Sequence, residues 1–471
     1  MKFKFPSAYT ILFGLIIAVA VATWFVPAGE YSREMNEALG REVPVPGTYQ
    51  QVEPNPQGFF DVVMAPIAGF FDPVSYEARA IDVALFVLII GGFLGIVTKT
   101  GAIDAGIGQA MRALRGREKW MIPILMALFA AGGTVYGMAE ETLAFYTLII
   151  PVMIAARYDA ATGVAIIMLG AGVGTLGSTI NPFATVIASN AAEVPFTDGI
   201  ILRFAILFLC WLACVLYVMR YAERVRANPD HSIVADRREA NEAHFLKGRA
   251  PSGDAEALAL TPTRKIILTI FAASFGVMIW GVSMGGWWMA EMSALFLVSA
   301  IVVGVIGRMG EEDFTNTFVD GARDLLGVAL VIGIARGIVV VMDAGNITDT
   351  ILFWAENAVS GLSEIGFINT MFGLQAVLSF LVPSSSGLAV LTMPIMAPLG
   401  DFAGVSRDLV VTAYQSASGL VNLINPTFAV VMGGLALGRV PYERWLAFMW
   451  PLLLILSVII AVALSVGTLL G

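Results

Sequence analysis

Cysteine, histidine and charge are all scarce in this chain: of 471 residues two are cysteine, two are histidine, and Asp, Glu, Lys and Arg together make up 13%. Cys210 and Cys214 stand four apart on one face of an apolar stretch, where they read as small packing residues. Neither a disulfide framework nor a zinc site can be assembled from them. His231 and His244 fall in a charged central segment, so the serines of "VPSSSG" (382–387) have no histidine to activate them, and no H-E-x-x-H helix is present. Gly172, Gly174 and Gly177 satisfy G-x-G-x-x-G, but no strand precedes them and the chain has 48 glycines. A dinucleotide fingerprint outside a βαβ unit is rejected. These absences argue against an enzyme, and neither a cofactor nor a nucleic-acid partner is expected.

Hydrophobic residues, by contrast, make up 58% of the chain. Apolar runs of about 18 residues or more recur from end to end, the length a helix needs to cross a bilayer. "ILFGLIIAVAVATWFVP" and "PLLLILSVIIAVALSVGTLL" are apolar on every side, unlike the alternating strands of a membrane β-barrel. Only helices satisfy such backbones in lipid. The chain is therefore expected to be an all-α polytopic membrane protein with about 9–11 crossings. Residues 8–28 follow Lys2 and Lys4, but their long apolar run lacks a small-residue cleavage site, so they are expected to be a retained helix.

The net charge of −9 matters less than its distribution. Residues 29–77 carry eight acidic residues and two arginines and read as an extracytoplasmic loop. Arg112, Arg115, Arg117 and Lys119, and nine Lys or Arg between 220 and 265, should face the cytoplasm by the positive-inside rule. That puts the amino terminus inside and the carboxyl terminus outside. Helices are expected at 81–99, 199–220, 265–284, 288–308, 320–343 and 445–470, with an amphipathic cytoplasmic stretch at 100–119. Residues 120–157 must begin and end on the same side, as must 365–400, and each is read as a re-entrant helical hairpin.

An internal repeat accounts for this count. Gly101 and Ile103 in "TGAID" match Gly345 and Ile347 in "AGNIT", Pro151 in "IIPVM" matches Pro394 in "TMPIM", and "INP" at 180–182 recurs at 424–426. The offsets are 244, 243 and 244. Because the topology puts Gly101 inside and Gly345 outside, the two copies have inverted topology, an architecture of secondary transporters. The expected organisation is 1–80 (first helix and acidic loop), 81–222 (first repeat, hairpin 120–157, broken helix 160–190), 223–263 (a flexible cytoplasmic linker), 264–310 (scaffold helices) and 311–471 (second repeat, hairpin 365–400, broken helix 408–437).

Each INP motif lies in a segment rich in Gly, Ser, Thr and Asn: "GAGVGTLGSTINPFATV" and "YQSASGLVNLINPTFAVV". Pro182 and Pro426 remove a backbone donor and clash with the preceding turn, so a membrane helix should break at each. The half-helix ends, with Ser178, Thr179 and Asn181 in one copy and Asn422 and Asn425 in the other, could form a polar cage for a monovalent cation or a carboxylate. A proline kink packed by small residues is the competing reading. At the same offset, Glu140, Glu141 and Thr142 on the first hairpin tip correspond to Ser384, Ser385 and Ser386 on the second. Charge at bilayer depth is by default functional. The glutamates could attract a cationic substrate, exchange protons or pair with Arg336, which could instead clamp a substrate carboxylate. A channel, which also uses re-entrant loops, is the weaker alternative.

The stretches "GGTVYGMAEET", "GVGTLGSTINPFATVIASNAA", "IARGIVVVMDAGNITDTIL", "FLVPSSSGLAVLTMPIMAPLGD" and "YQSASGLVNLINPT" together resemble the anaerobic C4-dicarboxylate carrier family, and within it the YfcC-like branch described as basic amino acid antiporters. The resemblance spans nearly the whole chain. It implies the ion transporter superfamily: two inverted repeats, two hairpins meeting broken helices, and a homodimer in which a transport domain slides against a scaffold. Sodium-coupled relatives carry a Ser-Asn-Thr triplet at each tip; here the first tip reads Ala139, Glu140, Glu141, Thr142 and the second Ser384, Ser385, Ser386. The expected function is a secondary transporter of a small polar solute, an amino acid and especially a basic one, with Na⁺ or H⁺ as candidate coupling ion and C4-dicarboxylates as the alternative substrate.

Overall fold

The computed structural model describes residues 8–36, 41–103, 105–106, 109, 117–246, 259–359 and 361–470. The amphipathic stretch expected at 100–119 lies mostly outside them, as does the linker from 247 to 258. Eighteen helices carry the described chain: α1 Ala8–Ala22, α2 Phe59–Ala68, α3 Ile81–Lys99, α4 Met121–Tyr136, α5 Leu143–Ala155, α6 Ala160–Leu176, α7 Ile187–Ala191, α8 Ile200–Ala227, α9 Arg238–Phe245, α10 Pro262–Gly285, α11 Met289–Ile306, α12 Glu311–Ala344, α13 Thr348–Val359, α14 Glu364–Leu381, α15 Ser385–Ala403, α16 Arg407–Val421, α17 Ala429–Gly438 and α18 Tyr442–Leu470. Seven are long and apolar enough to cross a membrane, and α6 and α17 are shorter apolar pieces. The chain is an all-α multi-pass membrane protein.

The helices gather into two bundles. In the first, α3 packs along α12 and α11, with α1 and α2 against α12 and α10 against α11. The second is built by α4 to α8 and α14 to α18, with α4 against α6, α14 against α16, and α8 against α18. They meet along a seam where α12 touches α17 and where α3 touches α5 and the turn at Glu140–Thr142.

The repeat is visible in element order. Helices α4, α5, α6, α7 and α8 recur as α14, α15, α16, α17 and α18, each starting within a few residues of the 244-residue offset. Packing shows the inversion. Gly172 faces Leu423, Leu176 faces Gly419, and Ser178 faces Gln415, so residue numbers rise on one helix as they fall on the other. The two INP helices therefore cross antiparallel, as copies of opposite topology must.

In three places the structure adds to what was expected. The loop expected at 29–77 contains structure: strands Gly29–Glu30 and Gln50–Gln51 pair antiparallel, Arg33–Asn36 pairs with Arg41–Pro44, and α2 follows. This region docks on α13, where Asp349 accepts from the Arg33 guanidinium at 3.0 Å on each oxygen and from the Tyr31 N–H at 3.0 Å. The buried Asp349 holds this region in place. Helix α12 begins nine residues before the expected 320, its first turn carrying Glu311, Glu312 and Asp313, which a helix N-terminus favours.

The linker is the third. Residues 228–246 are not a loose tether but two short 3-10 turns and α9, bound to the second bundle. Arg444 pairs with Asp236, Nη2 to Oδ2 at 3.0 Å, and donates to the Ile233 carbonyl at 2.9 Å. Arg237 and Arg439 donate to the carbonyls of Arg439 and Ala240 respectively. The Arg444 guanidinium holds the Asp236 carboxyl below its usual range. A carboxyl with a depressed value contributes fully above the ordinary carboxylate pKa and loses that contribution as pH falls through the depressed one. Asp236→Asn should thus mimic acid at neutral pH, speeding tryptic cleavage at Arg237 and Arg238 by ~2–5-fold, the range of an exposed ion pair; unchanged cleavage would show that the linker is held without this pair.

Candidate functional site

Both membrane helices break at their INP motifs. After α6 the chain makes a tight turn at Gly177–Ile180; Asn181 caps a π-helical turn, Pro182–Val186, and α7 follows. In the second copy α16 ends at Val421, residues 422–428 turn, and α17 resumes at Ala429. Proline at the first position after the break costs nothing there, because that N–H would have no partner in any case.

The two asparagines staple each break to a hairpin. Asn181 Nδ2 donates to the Gly133 carbonyl at 3.2 Å while its Oδ1 accepts from the Phe183 and Ala184 N–H groups at 2.8 and 3.2 Å. Asn425 repeats the device, donating to the Ser379 carbonyl at 3.1 Å and accepting from the Thr427 N–H at 3.0 Å. Both side chains are spent on the fold, so Asn181 and Asn425 position the site rather than offer free ligands. Gly137 ends α4 with φ +76°, a left-handed conformation that glycine adopts without strain, and turns the chain beside Asn181.

Helix breakage frees carbonyls, yet several of them already have partners. Gln415 Nε2 donates to the Ser178 carbonyl at 2.7 Å and its Oε1 accepts from Thr185 Oγ1 at 2.7 Å, while Thr185 also bonds the Ser178 hydroxyl. Ser416 donates to the Leu176 carbonyl at 3.2 Å. Trp445 and Tyr442 on α18 take the carbonyls of Leu423 and Ile424 at 3.0 and 2.7 Å. Thr179 exchanges with Thr134, hydroxyl to hydroxyl at 3.1 Å and N–H to hydroxyl at 2.9 Å. A stitched crossing therefore replaces the open cage that the broken helices suggested. Asn422, by contrast, is 8% exposed, and its Oδ1 has no hydrogen-bond partner among the described residues.

Hairpin one turns at Glu140–Thr142, a 3-10 turn between α4 and α5. Glu141 is 6% exposed and accepts from the Ala139 N–H at 3.0 Å, and Thr142 donates to the Ala139 carbonyl at 2.5 Å. Tyr146 faces Gly434 and Ile150 faces Gly438, so α5 and α17 run parallel. That register sets the two glutamates beside the amino terminus of α17, whose dipole favours negative charge. Hairpin two turns at Pro383, where Ser384 caps α15 by accepting from the Gly387 N–H at 3.2 Å, and Tyr414 in α16 donates to the Ser385 carbonyl. Ser386 is half-buried beside them, and α15 packs on Pro182–Val186 and α7. Each hairpin thus turns back next to the other repeat's half-helix instead of continuing across.

Arg336 does not join the glutamates. Among the described residues no ion pair involves Glu140 or Glu141. The charges that act on Glu140 are Glu141 and Asp82, whereas Arg336, on an exposed face of α12, feels Asp343 and Arg79. Sequence reasoning overlooked Asp82 at the start of α3, which accepts from Trp288 Nε1 at 2.9 Å; Trp288 in turn lies 5.1 Å from Phe183, centroid to centroid. An acidic and aromatic wall of the first bundle therefore faces the break and the tip of the second. It also overlooked Gln415 and Thr185, because their counterparts in the repeat are Ala171 and Ala429 and the offset gave no signal. The only available sign was one amide at the head of "QSASG" inside an apolar segment.

Paired hairpins, helices broken at matched positions and a buried polar crossing on a multi-pass scaffold define a membrane transporter built from inverted repeats. The chain belongs to the DcuC family, "C4-dicarboxylate anaerobic carrier", whose family model matches residues 5–469. It is 36% identical to an uncharacterized protein of Haemophilus influenzae, over 98% of this chain and 97% of that one. It is 33% identical to an Escherichia coli protein named "Putative basic amino acid antiporter YfcC", over 98% and 96%. Among solved structures, MtrF of Neisseria gonorrhoeae, of a class of antimetabolite efflux pumps, aligns over 98% of this chain and 95% of its own at 16% identity and TM-score 0.45.

Proposed function

We propose that the chain is a secondary active transporter of amino acids, basic ones first, in the bacterial inner membrane. The observation that carries this is the pair Glu140 and Glu141 on the hairpin tip, at the seam between the bundles where α3 touches the turn, with no basic side chain paired to them among the described residues. Unneutralised carboxylates at that depth call for a cation, and a guanidinium or ammonium group supplies one. The Phe183–Trp288 pair offers π-faces to a cation. The name of the Escherichia coli relative agrees with this class.

The two bundles suit an elevator. The second bundle carries both hairpins and both breaks and moves against the first along the α12–α17 contact. In this reading the protein works as a homodimer and is driven by Na⁺ or H⁺ or by exchange, with no resident cofactor. The alternative substrate is a C4-dicarboxylate, which the family description favours.

Counterflow in proteoliposomes separates these readings. Vesicles preloaded with unlabelled arginine should accumulate labelled arginine and lysine but neither succinate nor malate, and repeating the assay with and without sodium and across pH identifies the coupling ion. Accumulation of succinate or malate without either amino acid would overturn the proposal.

A further inference from the structure

The chain between α1 and α2 forms a small cap on the extracytoplasmic side of the expected topology, and the cap grips α13. Asp349, Thr350, Phe353 and Glu356, at i, i+1, i+4 and i+7, make up one face of that helix. Each has a partner in the cap. Besides the Asp349 bonds to Arg33 and Tyr31, the Tyr31 hydroxyl donates to Glu356 at 2.5 Å and Tyr49 stacks on Phe353, centroids 4.2 Å apart. The Thr350 hydroxyl donates to the Pro27 carbonyl at 2.7 Å and bonds the Tyr49 hydroxyl at 2.9 Å. Tyr31, Asp349 and Thr350 are buried there.

Helix α13 links the bundles, following α12 of the first and preceding α14 of the second. Its two ends differ. At the α12 end, a Cβ on Gly345 would stand 2.4 Å from Thr23 Cγ2, and the Asn346 and Ala344 carbonyls accept from the Gly29 N–H at 2.9 Å and Asn55 Nδ2 at 2.8 Å. At the α14 end, Gly361 has φ +76° and nothing within 4 Å of the point where a Cβ would stand. The first end is packed and bonded, while the left-handed glycine has room to turn. Because α1 and α2, which flank the cap, pack on α12, the cap belongs to the first bundle. Its strand Arg41–Pro44, however, lies against α15, the second helix of hairpin two.

We propose that the cap is a strap: it fixes α13 to the first bundle, so that the second bundle pivots at Gly361, and its strand Arg41–Pro44 rests on hairpin two as an outer stop. Were α13 to travel with the second bundle, every cycle would strip the nearly buried Asp349 carboxylate of Arg33 and of the Tyr31 N–H. Leaving a buried charge unpaired is costly, which favours a contact that stays closed. The inference rests on the two-bundle movement proposed above and not on the solute carried.

The test is cross-linking of the full-length protein in proteoliposomes, in a Cys210→Ala Cys214→Ala background. Tyr49→Cys with Phe353→Cys ties the cap to α13, and Phe145→Cys with Phe275→Cys, whose native rings lie 4.7 Å apart across the seam, ties the two bundles. Each pair is bridged with a short bis-methanethiosulfonate, and counterflow is followed with whichever of arginine or succinate the unbridged protein exchanges. Counterflow should stay within about twofold across the first bridge and fall at least about tenfold across the second, returning on reduction. Loss across the first bridge, restored by reduction, would overturn the strap alone. Counterflow that survives the second bridge would overturn the movement of the bundles, and the strap with it. If the Tyr49→Cys Phe353→Cys protein is inactive before bridging, Arg33→Gln decides. It should speed hydrogen–deuterium exchange of 348–359 by about 3–10-fold and slow counterflow at an unchanged half-saturating concentration. Unchanged exchange, or unchanged counterflow once exchange has risen, would overturn the proposal.

Discussion

Gly419→Ala should abolish transport and leave little folded protein, whereas Gly373→Ala should leave both intact. Gly419 lies where α16 crosses α6, and a methyl group there would stand 2.4 Å from the Leu176 Cα, far inside van der Waals contact distance with a backbone atom that cannot rotate away. Relief requires the two broken helices to part, which pulls at the Gln415–Ser178–Thr185 contacts and the Ser416–Leu176 bond on either side of the crossing. Overpacking of this kind costs about 1–3 kcal/mol and more where backbone blocks the shift, and loss of the buried polar contacts adds to it. Gly373 on α14 has nothing within 4 Å of the equivalent point, so alanine there gains helix propensity without a clash. Thermal unfolding followed by size-exclusion chromatography, together with counterflow, would check both variants. A folded and active Gly419→Ala protein would mean that the crossing is looser than the close approach implies.

Glu140→Gln and Glu141→Gln, tested singly, should each weaken counterflow of arginine and lysine by about 10–100-fold while the protein remains folded. A hydrogen bond to a charged group contributes about 1.5–3 kcal/mol, and each 1.4 kcal/mol is tenfold in affinity. Glutamine keeps the shape, and its carbonyl oxygen can still accept from the Ala139 N–H as Glu141 does at 3.0 Å. What disappears is charge beside the α17 amino terminus. The decisive comparison is a neutral amino acid: if its exchange falls as far as that of arginine, the glutamates serve coupling or folding rather than substrate charge. If both variants transport arginine like the wild type, the reading of the tip as the charge sensor is lost.

Much of the architecture was legible because it is written in local chemistry. Proline at positions 182 and 426, among clustered Gly, Ser, Thr and Asn, ends a helix wherever it occurs, and the structure breaks at both. The offset between the two "INP" motifs brought the hairpins into register, and α4–α5 and α14–α15 fall inside 120–157 and within a few residues of 365–400. Where the reading fell short, composition concealed a tertiary anchor. The acidic loop 29–77 is ordered through Asp349, more than 300 positions after Arg33, and the linker through Arg444, about 200 after Asp236. Charge content does not show what a charged segment will dock against.

By itself the sequence determined that this is a membrane protein of paired hairpins and broken helices, because apolar length, proline and glycine act on the few residues around them. Only the tertiary structure decided which polar groups remain free. Asn181 and Asn425 are consumed as staples, and Gln415 clasps the two halves from a position with no repeated counterpart. Arg336 makes no ion pair with the glutamates, and Asn422 Oδ1 has no hydrogen-bond partner among the described residues. A hydrogen bond depends on distances of about 3 Å between groups tens to hundreds of residues apart, and such distances are set by packing, not by spacing along the chain.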